Sequence, residues 1–198
     1  MPSIRNYKNK ERQQKGSQDQ FVKPKRMVLE KEIEGERREK IKLWTTFYRR
    51  NIHRFVEDYM GVKLFPYQIL WLYLMSISET FVAICSRAAA KSYLVAVYSV
   101  AIAILYPNSE IVIGASTVKQ AGLIVSSKVT QLRENSSNLQ REITNITANM
   151  NTYSATFQNG SKILVVAANE GGRGNRATLL NNIGSLISND NAIFGLNR

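Results

Sequence analysis

The stretch at residues 80–94, TFVAICSRAAAKSYL, constrains the fold more than any other part of the chain. Its apolar start at 81–85 is short and rich in β-forming residues, which predicts a buried strand. Small residues follow at 86–90, then Lys91 and Ser92, and from Tyr93 to Leu105 the pattern is that of a buried helix. A strand, a loop of small residues, Lys-Ser and a helix in this order predict a phosphate-binding loop.

Each part of this layout suits a phosphate group. Backbone N–H groups in the loop and at the helix N-terminus point toward the anion, and small side chains let that backbone approach closely. Lys91 would reach the β- and γ-phosphates, and the Ser92 hydroxyl would hold Mg²⁺.

The stretch departs from G-x-x-x-x-G-K-[ST], because Cys85 and Ala90 stand where that pattern has glycine. We expect alanine to replace glycine only where φ stays negative. The alternative interpretation is a buried strand followed by a helix that Ser86 caps, with Lys91 a solvated surface residue.

The charge of the chain favours a polyanionic partner such as nucleic acid, since its 198 residues carry a net charge of +12. Residues 1–63 hold 17 basic and 9 acidic side chains, and residues 64–198 hold 10 and 6. Both a DNA-contacting arm and a solubilising tail fit this asymmetry. Residues 1–25 are polar and without periodicity, which predicts disorder.

Several site classes are not supported by the composition. The one cysteine, Cys85, excludes an intramolecular disulfide framework and suits a reducing cytoplasm. The lone His53 has no Cys or His at ligand spacing, so a zinc site is not predicted. The longest apolar run, 93–106, is too short to span a bilayer, and the polar N-terminus does not resemble a signal peptide.

A mostly helical pattern with mixed charge covers residues 26–59 and ends at Gly61. Its aromatic and aliphatic residues recur at spacings of three and four, which predicts an amphipathic face packed on the core. The members of this face are Trp44, Phe47, Tyr48, Ile52, Phe55, Val56 and Tyr59.

Phe65-Pro66-Tyr67-Gln68 marks the start of the next helix, because proline suits a first turn. This helix is expected to run to about residue 78. Because it lies before a phosphate-loop strand, this tetrapeptide can also bind adenine. The Gln68 amide offers a donor and an acceptor to the base edge, and an aromatic ring can stack on the base.

The remaining pattern predicts an α/β domain. The pattern predicts a buried strand at 110–114, then a helix at 118–134 that Thr117 caps, and then a short helix that extends to about 146. Two β-forming runs, 153–157 and 163–167, flank Asn159-Gly160, which predicts a hairpin. This order of elements predicts a mainly parallel sheet flanked by helices.

Together these motifs resemble the ATPase domain of phage large terminase subunits, the DNA-packaging motors of tailed phages. The resemblance covers about residues 60–180. It rests on FPYQ at 65–68, ICSRAAAKS at 84–92, IVIGAS and STVKQA at 111–121, NGSKI at 159–163 and GGRGNRATLL at 171–180. Their order and spacing, rather than any single motif, carry the resemblance.

The resemblance implies a P-loop NTPase-type fold with ATP and Mg²⁺ as cofactors. Arg87 would contact the γ-phosphate or sense its loss, and Lys91 would be the second catalytic cation. Arg173 and Arg176 match the basic loop of the family, although a solvated surface loop fits them equally. The implied nucleotide-binding residues are Phe65, Tyr67, Gln68, Ser86, Arg87, Ala88, Ala89, Ala90, Lys91 and Ser92, with Ser92 also the metal ligand.

The resemblance also implies the partners of such a motor. These are viral double-stranded DNA, a portal protein, a small terminase subunit and further copies of the chain, at the procapsid portal in the host cytoplasm. Helicase-like P-loop ATPases and non-catalytic DNA-binding modules remain the alternatives.

The pattern departs from the family after residue 180. The family places there a hydrophobic strand ending in Asp-Glu, whose Asp helps to hold Mg²⁺ and whose Glu activates water. This chain has Asn181 and Asn182, and downstream of Glu142 its only acids are Glu170 and Asp190. We therefore expect a domain that is incomplete at its C-terminus and binds nucleotide with little or no hydrolysis.

The expected organisation has three parts. Residues 1–25 form a disordered basic tail, residues 26–60 an amphipathic helical extension, and residues 61–198 a partial P-loop ATPase domain.

Overall fold

The computed structural model describes residues 25–78, 80–83, 89–149, 152–167, 179–183 and 192–196. The helices are α1 (Lys25–Arg50), α2 (Ile52–Asp58), α3 (Pro66–Ile77), α4 (Lys91–Leu105), α5 (Val118–Leu123), a π-helical segment (Ile124–Val129), α6 (Thr130–Asn135) and α7 (Ser137–Glu142). The strands are β1 (Thr80–Ala83), β2 (Glu110–Ala115), β3 (Ile143–Asn149), β4 (Thr152–Phe157), β5 (Lys162–Ala167), β6 (Leu179–Ile183) and β7 (Ala192–Leu196).

The chain divides into two compact units, Met1–Thr46 and Phe47–Arg198. In the first unit the structure describes α1 from Lys25, so the tail predicted to be disordered lies almost wholly outside the described residues. From Ile33 to Thr46 nearly every side chain is exposed. Ion pairs one turn apart, such as Arg38 with Glu34 at 2.6 Å, lie in solvent and contribute little to stability.

The second unit begins at Phe47, so it contains the last turn of α1 and the whole of α2. Ile52, Phe55 and Val56 of the predicted amphipathic face are buried, whereas Phe47 is 52% exposed. Gly61 follows α2 with φ +72°, a backbone conformation that favours glycine and ends the helix there.

The sheet contains seven strands in the order β1-β7-β6-β2-β5-β4-β3. Only β2 pairs in parallel, with β5 on one side and β6 on the other, and the remaining pairings are antiparallel. The sheet is therefore mixed, and the prediction of a mainly parallel sheet was wrong. The reason is that short connections join β3 to β4 and β4 to β5, and such connections can link only antiparallel strands.

Despite this mixture, four strands end at the same edge of the sheet. β1 is antiparallel to β7, and β7 is antiparallel to β6, so β1 and β6 run in the same direction. Both β6 and β5 are parallel to β2. The carboxyl ends of β1, β2, β5 and β6 consequently lie along one edge, which we call the carboxyl edge.

Helix α4 occupies the centre of the core. It buries 11 of its 15 residues, including Tyr98 at 1% exposure. It packs against β2, β5 and β6 and against the π-helical segment, which in turn packs against β3 and β4. The strand before it, β1, is the outermost strand of the sheet, and Val82 on it is 52% exposed, so the prediction of a buried strand was wrong for the described residues of this run.

Four elements differ from the sequence prediction. The helix expected at 118–134 contains the π-helical segment, and the helix expected to reach 146 ends at Glu142, where β3 begins at Ile143. β6 and β7 also form in a region for which no strand was predicted.

Candidate phosphate-binding site

Helix α4 begins at Lys91, directly after Ala90 as its N-cap residue. The methyl side chain of Ala90 has no oxygen, so it cannot accept hydrogen bonds from the first-turn N–H groups, while its carbonyl accepts from Leu94 N at 3.0 Å. The N-terminus of a long helix carries a partial positive charge and N–H groups directed along its axis. This junction therefore has the electrostatic character of an anion-binding site.

Ala90 adopts φ 57° and ψ 23°, which is the left-handed region. The expectation that φ stays negative at this position was therefore wrong. Left-handed backbone costs an L-residue about 1–2 kcal/mol, because Cβ approaches the following carbonyl oxygen. The position thus has the backbone conformation for which glycine is favoured, although it holds alanine.

Lys91 and Ser92 stand on the first turn of α4, Lys91 half-buried and Ser92 exposed. Ala89 and Ala90 before them are half-buried. The other predicted loop residues, namely Ser86, Arg87 and Ala88, lie outside the described residues, as do Cys85, Glu170, Arg173, Arg176 and Asp190. The described part of the loop therefore supplies one cation, one hydroxyl and an uncapped helix start.

The start of α3 holds the residues predicted to contact adenine. The backbone N–H of Phe65 donates to Gln68 Oε1 at 3.0 Å, and Gln68 Nε2 donates to the Tyr67 hydroxyl at 3.3 Å. Gln68 is only 4% exposed. These two contacts fix the orientation of its amide, which retains one N–H and one oxygen lone pair for a further partner.

A row of aromatic rings leads from this helix start to the sheet. The exposed rings of Phe65 and Tyr67 are nearly parallel, with centroids 6.2 Å apart and planes 8° apart. Tyr67 meets Trp71 edge-on at 6.5 Å, and Trp71 meets Phe81 at 6.3 Å. Phe81 belongs to β1, so this row connects the Gln68 group to the strand that precedes the phosphate loop.

The far end of α4 is held by Arg49. Its Nε and Nη2 atoms donate to the carbonyl of Leu105 at 2.9 and 2.7 Å, and its guanidinium lies 4.3 Å from the centroid of the Tyr106 ring. The last carbonyls of a helix have no intrahelical donor, so these bonds satisfy a group that would otherwise need water. Arg49 and Leu105 are 56 positions apart in the sequence, so no local pattern predicted their contact.

The turn between β4 and β5 holds the same end of α4. Asn159 Nδ2 donates to the carbonyls of Ala103 at 2.7 Å and Ile104 at 3.1 Å. Gly160 has φ +84°, and a Cβ there would lie 2.3 Å from Asn108 Oδ1, so glycine is required. The Asn-Gly pair thus makes the predicted hairpin and also caps α4, a role that its sequence did not reveal.

The described residues hold no group of three or more His, Cys, Asp or Glu side chains that could bind a metal ion. Ser92, which was predicted to hold Mg²⁺ through its hydroxyl, is exposed on the first turn of α4. In the described ranges, no helix is long and apolar enough to cross a membrane.

Two groups of predicted residues are thus brought together. Phe65, Tyr67 and Gln68 form one contact group at the start of α3, and Ala90-Lys91-Ser92 form the start of α4. Compared with known proteins, the chain matches no family model and no curated protein.

Proposed function

We propose that this chain is the nucleotide-binding part of a P-loop ATPase of the large-terminase type. Such a protein uses ATP to move viral double-stranded DNA into a procapsid. One observation carries the proposal. A strand ending at the carboxyl edge is followed by a helix whose first two residues are Lys91 and Ser92 and whose N-cap, Ala90, has left-handed backbone.

The junction after β1 lies on the carboxyl edge, and in open α/β sheets ligands bind outside the carboxyl ends of the strands. β1 is the outermost strand of the sheet, with β7 and β6 between it and β2. Its carboxyl end lies on the same edge as the carboxyl ends of β2, β5 and β6. Thr117, two residues after the end of β2, caps α5 by accepting from Gln120 N at 3.2 Å.

Each residue of the site would have one task in binding ATP. The Lys91 ammonium would neutralise the β- and γ-phosphates, and the first-turn N–H groups would donate to their oxygens. Ser92 would contact Mg²⁺, which when bound offsets the negative charge of the phosphates. Arg87 retains its proposed role at the γ-phosphate.

Adenine would be read at the start of α3. The oriented Gln68 amide keeps one donor and one acceptor, which match the two groups at the edge of adenine. The exposed Phe65 and Tyr67 rings offer an apolar face for stacking. A fixed amide discriminates better than a free one, because the wrong base leaves its buried polar atoms unpaired.

The proposed partners follow from the terminase resemblance and the charge. A net charge of +12 suits a DNA partner. The portal protein, the small terminase subunit, further copies of this chain and a location at the procapsid portal in the host cytoplasm belong to the same proposal.

Titration calorimetry with Mg·ATP tests the nucleotide site. Lys91→Ala removes one charge-assisted contact, worth about 1.5–3 kcal/mol, so the affinity should fall by about ten- to a hundred-fold. Lys162→Ala is the matched control, since Lys162 is exposed and begins β5 at the opposite end from the carboxyl edge. Equal affinities of the two variants would refute the assignment.

Hydrolysis is proposed to be slow, because no Asp-Glu pair follows residue 180 in the place where the family has its acidic strand. A steady-state phosphate-release assay measures this directly. Turnover at about 1 s⁻¹ or faster, abolished by Glu170→Gln, would contradict the proposal and place the acidic residue before the basic loop instead.

A further inference from the structure

We propose that Trp71 is a positioning residue that holds the adenine-side rings in place relative to the phosphate loop. This inference rests on the proposed nucleotide site. No motif in the sequence singles out Trp71, which lies in the middle of α3, three residues after Gln68. Its contacts give it this role.

Trp71 contacts a ring on each side. Its ring meets Tyr67 at 6.5 Å with planes 87° apart, and Phe81 at 6.3 Å with planes 67° apart. Both are edge-to-face arrangements, which aromatic pairs favour over a face-to-face sandwich. Trp71 and Phe81 also pack against the hydrophobic core.

One neighbour, Tyr67, belongs to the adenine side of the proposed site, and the other, Phe81, belongs to the strand before the phosphate loop. Tyr67 stacks with Phe65 and accepts a hydrogen bond from Gln68, so its position determines the adenine side. Phe81 lies in β1, two residues before its end at Ala83, after which the chain enters the phosphate loop. Trp71 is therefore in ring contact both with the adenine side and with the strand that precedes the phosphate loop.

Loss of the Trp71 contacts should affect binding of the base and leave binding of the phosphates unchanged. Loss of the Trp71 ring frees Tyr67 to move against β1, which misaligns the stacked pair and the amide that bonds to it. Helix α4 is held separately, because it is buried in the core from Leu94 onward. A ligand with a base should therefore lose affinity, while a ligand made of phosphates alone should not.

The experiment compares Mg·ATP with Mg·tripolyphosphate by titration calorimetry on the full chain. Trp71→Leu should weaken ATP binding by about three- to thirty-fold, because part of the stacking between the base and the Phe65 and Tyr67 rings is lost. Tripolyphosphate binding should stay within about two-fold. Trp71→Phe keeps a ring at the same place and should restore part of the loss.

Phe157→Leu is the matched control for destabilisation. Phe157 is a buried ring on β4, it is 4% exposed, and the exchange is again an aromatic ring for leucine. It should lower the melting temperature and leave the ratio of the ATP and tripolyphosphate affinities unchanged. The same ratio in Trp71→Leu and in the unmodified chain would overturn the inference.

A fluorescence measurement avoids any change at Trp71. The chain has two tryptophans, so Trp44→Phe leaves Trp71 as the reporter. Mg·ATP should change its emission, and Mg·tripolyphosphate should not. An ATP titration that binds without changing the emission would overturn the positioning role alone, whereas binding of neither ligand by the unmodified chain would overturn the proposed nucleotide site and this inference with it.

Discussion

The hydroxyl of Tyr98 donates to the backbone carbonyl of Met75 at 3.0 Å, and both residues are 1% exposed. Met75 lies in the last turn of α3, where carbonyls lack an intrahelical donor. A side chain of α4 thus satisfies the end of α3. The helix that carries Gln68 and the helix that carries Lys91 are joined by a buried hydrogen bond.

Tyr98→Phe should destabilise the second unit, because it removes the donor and leaves a buried carbonyl without it. The expected loss is about 1–3 kcal/mol of unfolding free energy, which thermal unfolding would detect as a drop of several degrees. Tyr73→Phe is the control, since Tyr73 lies in the same helix and is 44% exposed. Equal melting temperatures for the two variants would show that the Tyr98 bond contributes nothing.

The effect of a substitution at Ala90 on the unfolding free energy should depend on how well the new residue tolerates left-handed backbone. Ala90→Gly relieves the strain of φ 57° and should leave the unfolding free energy unchanged or raise it, despite the greater freedom of glycine when unfolded. Ala90→Val should lower it by more than about 1 kcal/mol, because β-branched residues are rarely tolerated at positive φ.

The control for Ala90 is the same exchange inside the helix. Ala96→Gly in the buried middle of α4 should cost about 1 kcal/mol or more. Urea unfolding measures all three variants. An equal cost of glycine at positions 90 and 96 would contradict the left-handed conformation of Ala90.

The stability at alkaline pH should depend on Tyr59. Its hydroxyl donates to Glu142 Oε1 at 2.5 Å. Burial, followed by this hydrogen bond and the carboxylate charge, raises the pKa of Tyr59 above its usual value near 10. The folded state therefore keeps a proton that the unfolded state releases.

The contribution of Tyr59 is fully present below about pH 10 and is lost as the pH rises toward its folded pKa. Urea unfolding between pH 8 and pH 11 should show a stability that falls more steeply above pH 10 in the unmodified chain than in Tyr59→Phe. The exposed Tyr73→Phe should keep the steep fall. Parallel curves for Tyr59→Phe and the unmodified chain would contradict this assignment.

The elements that could be predicted from sequence have local signals. The apolar run after Lys91 predicted α4, Pro66 predicted the start of α3, and Asn159-Gly160 predicted the β4–β5 hairpin, and the structure confirms all three. Thr117 was predicted as a cap and is one. In each case a few neighbouring residues decide the conformation.

The elements that were missed depend on distant partners. β3 places Ile143 and Ile146 three residues apart, which is a helical spacing, and its strand conformation comes from pairing with β4. β6 contains Asn181 and Asn182 and forms beside β2, far away in sequence. Pairing with a distant strand leaves no pattern in the neighbouring residues from which a strand could be predicted.

The same distinction applies to the candidate site. Lys91 and Ser92 were predicted from the order of strand, loop and helix, and the structure places them at the start of α4. The contacts of Arg49 with Leu105 and of Trp71 with Phe81 join residues ten or more positions apart, so only the fold reveals them.

A crystal structure of the chain with Mg²⁺ and a non-hydrolysable ATP analogue tests the central claim most directly. The account predicts that phosphate oxygens lie about 2.7–3.1 Å from Lys91 Nζ and from the first-turn N–H groups of α4. The adenine should lie within hydrogen-bond distance of the Gln68 amide. A nucleotide bound elsewhere on the chain, with Lys91 in solvent, would contradict the account.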